Sequence, residues 1–161
     1  MFVLGVDPGE TTGVALIEER PDGSLHLHDT LLLGIASLPV IVRWVNNRTD
    51  CAVVETWEYQ GPKRARGVAY QAYAAGRAVG VLMARGFVVL EVTRTQALAA
   101  IGFTRGKKAT KAAVAAWVRK LVPAISPEVG AAARSEHEWD AVAVAVAGLG
   151  VERRARLAGA L

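Results

Sequence analysis

Cysteine occurs once in the 161 residues. A lone thiol excludes an intrachain disulfide framework and argues against a thiolate zinc cluster. Cys51 lies beside an apolar run and reads as a small buried hydrophobe. A reducing, cytoplasmic setting fits that usage. Long apolar runs are also missing: nothing approaches the ~18–20 uncharged apolar residues of a membrane span. No basic segment or small-residue cleavage site precedes Phe2-Val3-Leu4-Gly5-Val6, so no secretion signal is expected. Acids are scarce in the middle of the chain. Residues 61–120 hold one, Glu91, against twelve bases, whereas residues 1–60 hold nine acids and three bases.

So one-sided a block points to a polyanionic partner. The net charge of +4 conceals it. Charge alone does not separate DNA from RNA or anionic lipid, and a merely solubilising basic surface is the plainer alternative. Hydrophobic residues make up 52% of the chain, enough for a full core. The length suits one domain over 1–161, with a basic tail over 150–161.

Phe2–Val6 is an apolar run ended by the turn signal Asp7-Pro8-Gly9, and reads as a buried strand. Gly13–Ile17 follows as its hairpin partner. Leu25–Leu33 is a third strand, after the turn Pro21-Asp22-Gly23. Leu38–Val45 has helical spacing, and Cys51–Val54 is a fourth strand leading into Glu55. Val68–Arg85 is an alanine-rich helix with Gly86 at its C-cap, and Phe87–Val92 is a fifth strand. Thr93–Ile101 and Ala109–Val122 read as helices, the second stopped by Pro123. Ala141–Ala147 alternates Ala and Val, which suits a strand. Ser135-Glu136-His137-Glu138 is a capping box, however, so Ser135–Leu149 is expected to be a helix ended by Gly148 and Gly150. This order predicts an α/β fold. Its five-stranded mixed sheet is an antiparallel meander extended by parallel crossovers, with helices on both faces.

Three acids stand where structure alone gives them little reason to be. Asp7 ends the first strand, Glu55 ends the fourth, and Asp140 lies early in an apolar helix. If the two strands are parallel neighbours, Asp7 and Glu55 emerge at one edge, where α/β sheets build ligand sites. His137 and Asp140, three residues apart, share a helical face. Crowded carboxylates repel and are costly to desolvate, and a divalent cation relieves both costs. Oxygen donors with one imidazole favour Mg²⁺ or Mn²⁺ over zinc. Each residue also has a plainer reading. Asp7 could close its own turn, Glu55 could pair with an arginine, Asp140 could answer the helix dipole, and His137 could be an ordinary helix residue. Their joint placement favours the cluster.

Val3-Leu4-Gly5-Val6-Asp7-Pro8-Gly9 with Thr12-Gly13 resembles the first motif of RuvC-type Holliday-junction resolvases (crossover junction endodeoxyribonucleases). Ala52-Val53-Val54-Glu55 resembles their second acidic strand end. Gln96-Ala97-Leu98 to Ile101-Gly102, then Lys111 to Val122, resembles the stretch that leads to their basic helix. His137-Glu138-Trp139-Asp140-Ala141-Val142-Ala143-Val144-Ala145 resembles their last motif. The first motif alone is shared with actin-like ATPases and YqgF-type nucleases; the four run in family order from residue 3 to about 147.

The resemblance implies a ribonuclease H-like fold, a homodimer, and Mg²⁺-dependent paired symmetric nicking of four-way DNA junctions. It implies two ions per site, with Mn²⁺ able to substitute, and 5′-phosphate and 3′-hydroxyl products. Asp7, Glu55, His137 and Asp140 would be the catalytic and metal-binding set; many members carry Asp at the position of His137. Lys111 matches a lysine near the DNA. A second such lysine falls at about Thr95, where Arg94 stands in. Lys63, Arg64 and Arg66, with Arg105, Lys107, Lys108 and Lys111, form two basic stretches suited to phosphates. Trp57 and Tyr59 are candidates for the aromatic at the junction centre. Ala72, Gly76 and Gly80, four apart, suit either a dimer contact or close packing on the chain's own sheet. The residues do not specify a branch-migration helicase partner. The alternatives are another ribonuclease H-like nuclease, such as a YqgF-type RNA-processing enzyme, a non-catalytic DNA-binding module, or a sugar-kinase-like ATP binder. An ATP binder of that kind usually needs a second similar domain, for which 161 residues leave no room.

Overall fold

The computed structural model describes residues 1–37, 39–45, 49–57, 65–103, 110–122, 124–125 and 135–159. Strands β1 (Phe2–Asp7), β2 (Thr11–Glu19) and β3 (Leu25–Gly34) form the expected antiparallel meander. Strand β4 (Cys51–Thr56) lies parallel to β1, and β5 (Val89–Thr93) lies parallel to β4. A sixth strand, β6 (Ala124–Ile125), pairs with β3 and completes the order β5-β4-β1-β2-β3-β6. Two residues are too few to show a strand period, so the sequence could not announce it.

The central strands are apolar on both faces because both faces are covered. Val3, Ile17, Val53 and Val92 pack in one core with helix α5 (Glu136–Leu157), helix α3 (Arg94–Ala100) and helix α4 (Lys111–Leu121). Leu4, Val6, Val14 and Val54 pack in the other with helix α1 (Pro39–Val45) and helix α2 (Ala65–Met83). Ribonuclease H-like folds have this arrangement, a mixed sheet with helices on both sides. Among the described residues, no helix is long and apolar enough to cross a membrane.

Helix α5 lies unusually close to the sheet. A Cβ on Gly5 would overlap the carbonyl oxygen of Ala141, and one on Gly13 would overlap that of His137. These two glycines let the start of α5 sit directly over β1 and β2. Gly148 and Gly150 do not end α5, as the sequence predicts; the helix runs on to Leu157. A side chain at Gly148 would collide with Val53, so this glycine makes room for the sheet and terminates nothing.

Helix α2 has the opposite character. Its sheet side is Ala74, Ala75, Ala78 and Leu82, whereas Ala72, Gly76 and Gly80 are exposed. Among the described residues, nothing lies within 4 Å of a Cβ placed on Gly76 or Gly80. The small residues therefore do not serve close packing on the chain's own sheet. Tyr73 and Met83 stand out from the same helix, 56% and 62% exposed.

Candidate active site

The register of β1 on β4 pairs Val6 with Val54, so the next residues, Asp7 and Glu55, come level at the same sheet edge. Both belong to the alternate set, with Gly5 and Val53, that faces α5. The start of α5 supplies the other two groups. The Nδ1 atom of His137 is 2.9 Å from Oδ2 of Asp7. Asp140, one turn on, is 8% exposed.

The capping box read from the sequence fixes that helix start. The Ser135 N–H donates to Oε2 of Glu138 at 2.7 Å, and the Glu138 N–H donates to Oγ of Ser135 at 3.4 Å. Glu138 does more than cap. Its Oε1 accepts from the hydroxyl of Thr30 on β3 at 2.6 Å, tying the first turn of α5 to the sheet. With Gly13 beneath the His137 carbonyl, this anchor sets where His137 meets Asp7.

A cation stands among the acids. Nη1 of Arg94 donates to Oδ2 of Asp140 at 3.3 Å and lies 3.8 Å from Oε1 of Glu55. Arg94 is the first residue of α3, directly after β5. Thr93 caps it: the Thr93 N–H donates to Oε1 of Gln96 at 2.7 Å, and the Gln96 N–H donates to Oγ1 of Thr93 at 3.2 Å. Strand β5 lies beside β4, so this cap delivers Arg94 to the edge that carries Glu55. The sequence placed Arg94 on a DNA path. The plainer reading of Glu55, a pair with an arginine, is what the structure shows, and the Thr93-x-x-Gln96 cap after a strand could have located which arginine.

Electrostatics follow from burial. Removal from water pushes the Asp7 carboxyl above its usual range, against the hydrogen bond from His137, and the charge of Asp140 adds to the rise. The hydrogen bond to Asp7 raises His137 above the usual imidazole value. Burial alone would lower Arg94, but Asp140 and Glu55 outweigh it and hold the guanidinium firmly charged.

Among the described residues, no three His, Cys, Asp or Glu side chains are drawn tightly enough around one point to hold an ion in this arrangement. The donor chemistry nevertheless fits a hard divalent cation: three carboxylates and one imidazole from β1, β4 and α5 meet at one edge. The Arg94 guanidinium lies against two of these acids, Asp140 and Glu55.

Lys111 opens α4 and ion-pairs with Glu136 next to the site. Trp57 follows β4 and is half-buried. Arg66 lies in α2, but its side chain is outside the described set, as are Tyr59, Lys63, Arg64, Arg105, Lys107 and Lys108 altogether.

No protein-family model matches the chain, and no curated protein matches it. Solved structures do. RuvC of Thermus thermophilus is 20% identical over 96% of both chains, with a TM-score of 0.71. The T. thermophilus RuvC in complex with Holliday junction substrate gives 0.67 at the same identity and coverage. The yeast mitochondrial Holliday junction resolvase Ydc2 is 8% identical, over 96% of this chain and 82% of its own, with a TM-score of 0.64. The fold of this chain is therefore the ribonuclease H-like fold of the RuvC structures.

Proposed function

We propose that the chain is a Mg²⁺-dependent endonuclease that resolves four-way DNA junctions by paired symmetric nicks. The observation that carries this reading is the meeting of Asp7, Glu55, His137 and Asp140 at one sheet edge. It meets in a fold shared with a RuvC structure that holds a Holliday junction substrate.

Asp7, central and largely shielded from solvent, together with Glu55 and Asp140, would hold two Mg²⁺ ions, with Mn²⁺ able to replace them. Such ions, when bound, supply acidity to water and charge stabilisation to a departing 3′ oxygen, which leaves 5′-phosphate and 3′-hydroxyl ends. The protein's own part is position and proton handling. With Asp7 ionised and accepting from Nδ1–H, the neutral form of His137 has its lone pair on Nε2. That nitrogen can take a proton from water or serve as a donor to an ion. Lys111, with Lys63, Arg64, Arg66, Arg105, Lys107 and Lys108, would hold phosphates. Recognition then rests on junction shape, and binding weakens steeply with salt. Trp57 or Tyr59 would enter the junction centre.

The open face of α2 supports a homodimer that sets two sites against two strands. Gly76→Arg should then give a monomer by sedimentation while leaving the circular dichroism spectrum unchanged.

The deciding experiment incubates the pure chain and Mg²⁺ with a four-way junction, a matched duplex and a structured RNA. Paired nicks on the junction alone are expected. Cleavage of the RNA alone would move the reading to an RNA-processing nuclease. Junction binding without cleavage would reduce it to a binding module.

A further inference from the structure

We infer that Arg94 is an internal counter-ion of the carboxylate cluster, and that it competes directly with divalent metal. The inference rests on reading that cluster as a metal centre. Its guanidinium touches the acids from two elements, Asp140 of α5 and Glu55 of β4. An arginine keeps its charge at any working pH, so it cannot yield the site by losing a proton. A dication bound to the same oxygens would stand within a few ångströms of it, in a partly dry site where repulsion is weakly screened. The two occupants therefore exclude each other.

The fold gives the side chain a way out. Arg94 is the first residue of a short helix, and its side chain is 40% exposed, against 11% for Asp140 and 16% for Glu55. The acids are fixed from the sheet and from α5; the cation is the part that can turn to solvent. Without it, the metal-free protein would hold Asp140, nearly buried, beside Asp7 with less compensation, an arrangement that costs stability. Arg94 thus stabilises the empty site and lowers its affinity for metal.

The test is Mn²⁺ binding to the full chain without DNA, followed by the electron paramagnetic resonance signal of free Mn²⁺. Arg94→Ala should tighten binding about tenfold or more, a change of about 1.4 kcal/mol. Arg94→Lys, which keeps the unit charge in a compact head without the planar fork, should fall between. Asp7→Asn in the Arg94→Ala background should lose the bound Mn²⁺, which assigns it to this cluster. Should Arg94→Ala fold poorly by thermal melt, Arg94→Gln and Arg94→Lys carry the comparison. Equal affinity in wild type and variants, or weaker binding in them, overturns the competition while leaving the metal centre in place. No Mn²⁺ bound by any of them, Arg94→Ala included, overturns the metal centre itself.

Discussion

Two histidine–carboxylate pairs sit at opposite ends of the same sheet, and each closes at 2.9 Å. His137 meets Asp7 where β1 ends, and His28 meets Glu18 where β2 nears its own end. Their surroundings differ. The Asp7 side chain is 13% exposed beneath α5, whereas that of Glu18 is 25% exposed beside Arg20. Burial pushes the Asp7 carboxyl up in spite of its histidine; the hydrogen bond from His28 pulls Glu18 down. The same contact therefore satisfies one acid and leaves the other short of positive charge. A histidine beside a carboxylate does not make a site. A helix pressed over that carboxylate, with a second acid beside it, creates a demand for positive charge that Arg94 meets in part.

The largest effect separates the two pairs by function. Asp7→Asn keeps the shape and removes the charge, and should cut junction cleavage more than about 100-fold, beyond the usual cost of altering a group that only supports a metal ligand. Junction binding in Ca²⁺ should survive. Glu18→Gln should leave cleavage unchanged. Loss of cleavage in both, or in neither, would remove the distinction drawn between the ends, and a gel assay on a labelled junction decides it.

A second experiment converts one environment into the other. Gly13→Ala places a methyl where the His137 carbonyl lies, so the first turn of α5 must lift away. The expected cost is about 1–3 kcal/mol in denaturant unfolding, as for overpacking elsewhere. Cleavage should fall further than stability alone explains, because Asp7 becomes wetter and His137 shifts. Unchanged stability would mean that α5 is not seated as closely as described.

Much of this was legible in the residues. Asp7 and Glu55 each follow an apolar run, and a parallel pairing of those runs brings them level, as β1 and β4 do. His137 and Asp140 came from the capping box and helical spacing, because Ser135 marks where α5 begins. The misread features depended on partners distant in sequence. Gly148 looks like a helix stop until Val53 is seen beneath it. That the arginine beside Glu55 is Arg94 emerges only when β5 is placed beside β4. Glu138 looks like a cap alone until Thr30, 108 residues away, is found holding its other oxygen. Local chemistry is written in local sequence; which strand or helix faces it is decided by the whole fold.

Thr30→Val tests that last anchor at smaller cost. The substitution keeps the shape and deletes the donor, leaving Glu138 with its cap but without its tie to β3. A loss of about 1 kcal/mol is expected, the usual worth of one hydrogen bond, more where the orphaned acceptor stays partly buried. The kcat for cleavage should fall while junction affinity holds, since the histidine loses its position and the basic groups keep theirs. A matched loss in Glu138→Gln, which can still accept from Thr30, would show that the charge matters, and not the tie.

The smallest effect is one of sign, and it divides the pairs by pH. Glu18 has a folded pKa below its unfolded value, because the bond from His28 favours the anion. Its contribution is present above the ordinary carboxylate range and fades as pH falls through the folded pKa. Asp7 has a folded pKa above its unfolded value, so its share works the other way: the fold binds that proton more readily, and stability drains as pH rises from the ordinary carboxylate range through the raised folded pKa. In metal-free protein, the melting-temperature gap between wild type and Glu18→Gln should close toward acid. Relative to wild type, Asp7→Asn should gain as pH rises out of the carboxylate range. The first effect stays below about 1 kcal/mol, as for other partly exposed ion pairs, so melts at several pH values in low salt are needed to resolve it. Gaps that do not move with pH, or that move in the same direction for both variants, would show that burial does not distinguish the two acids.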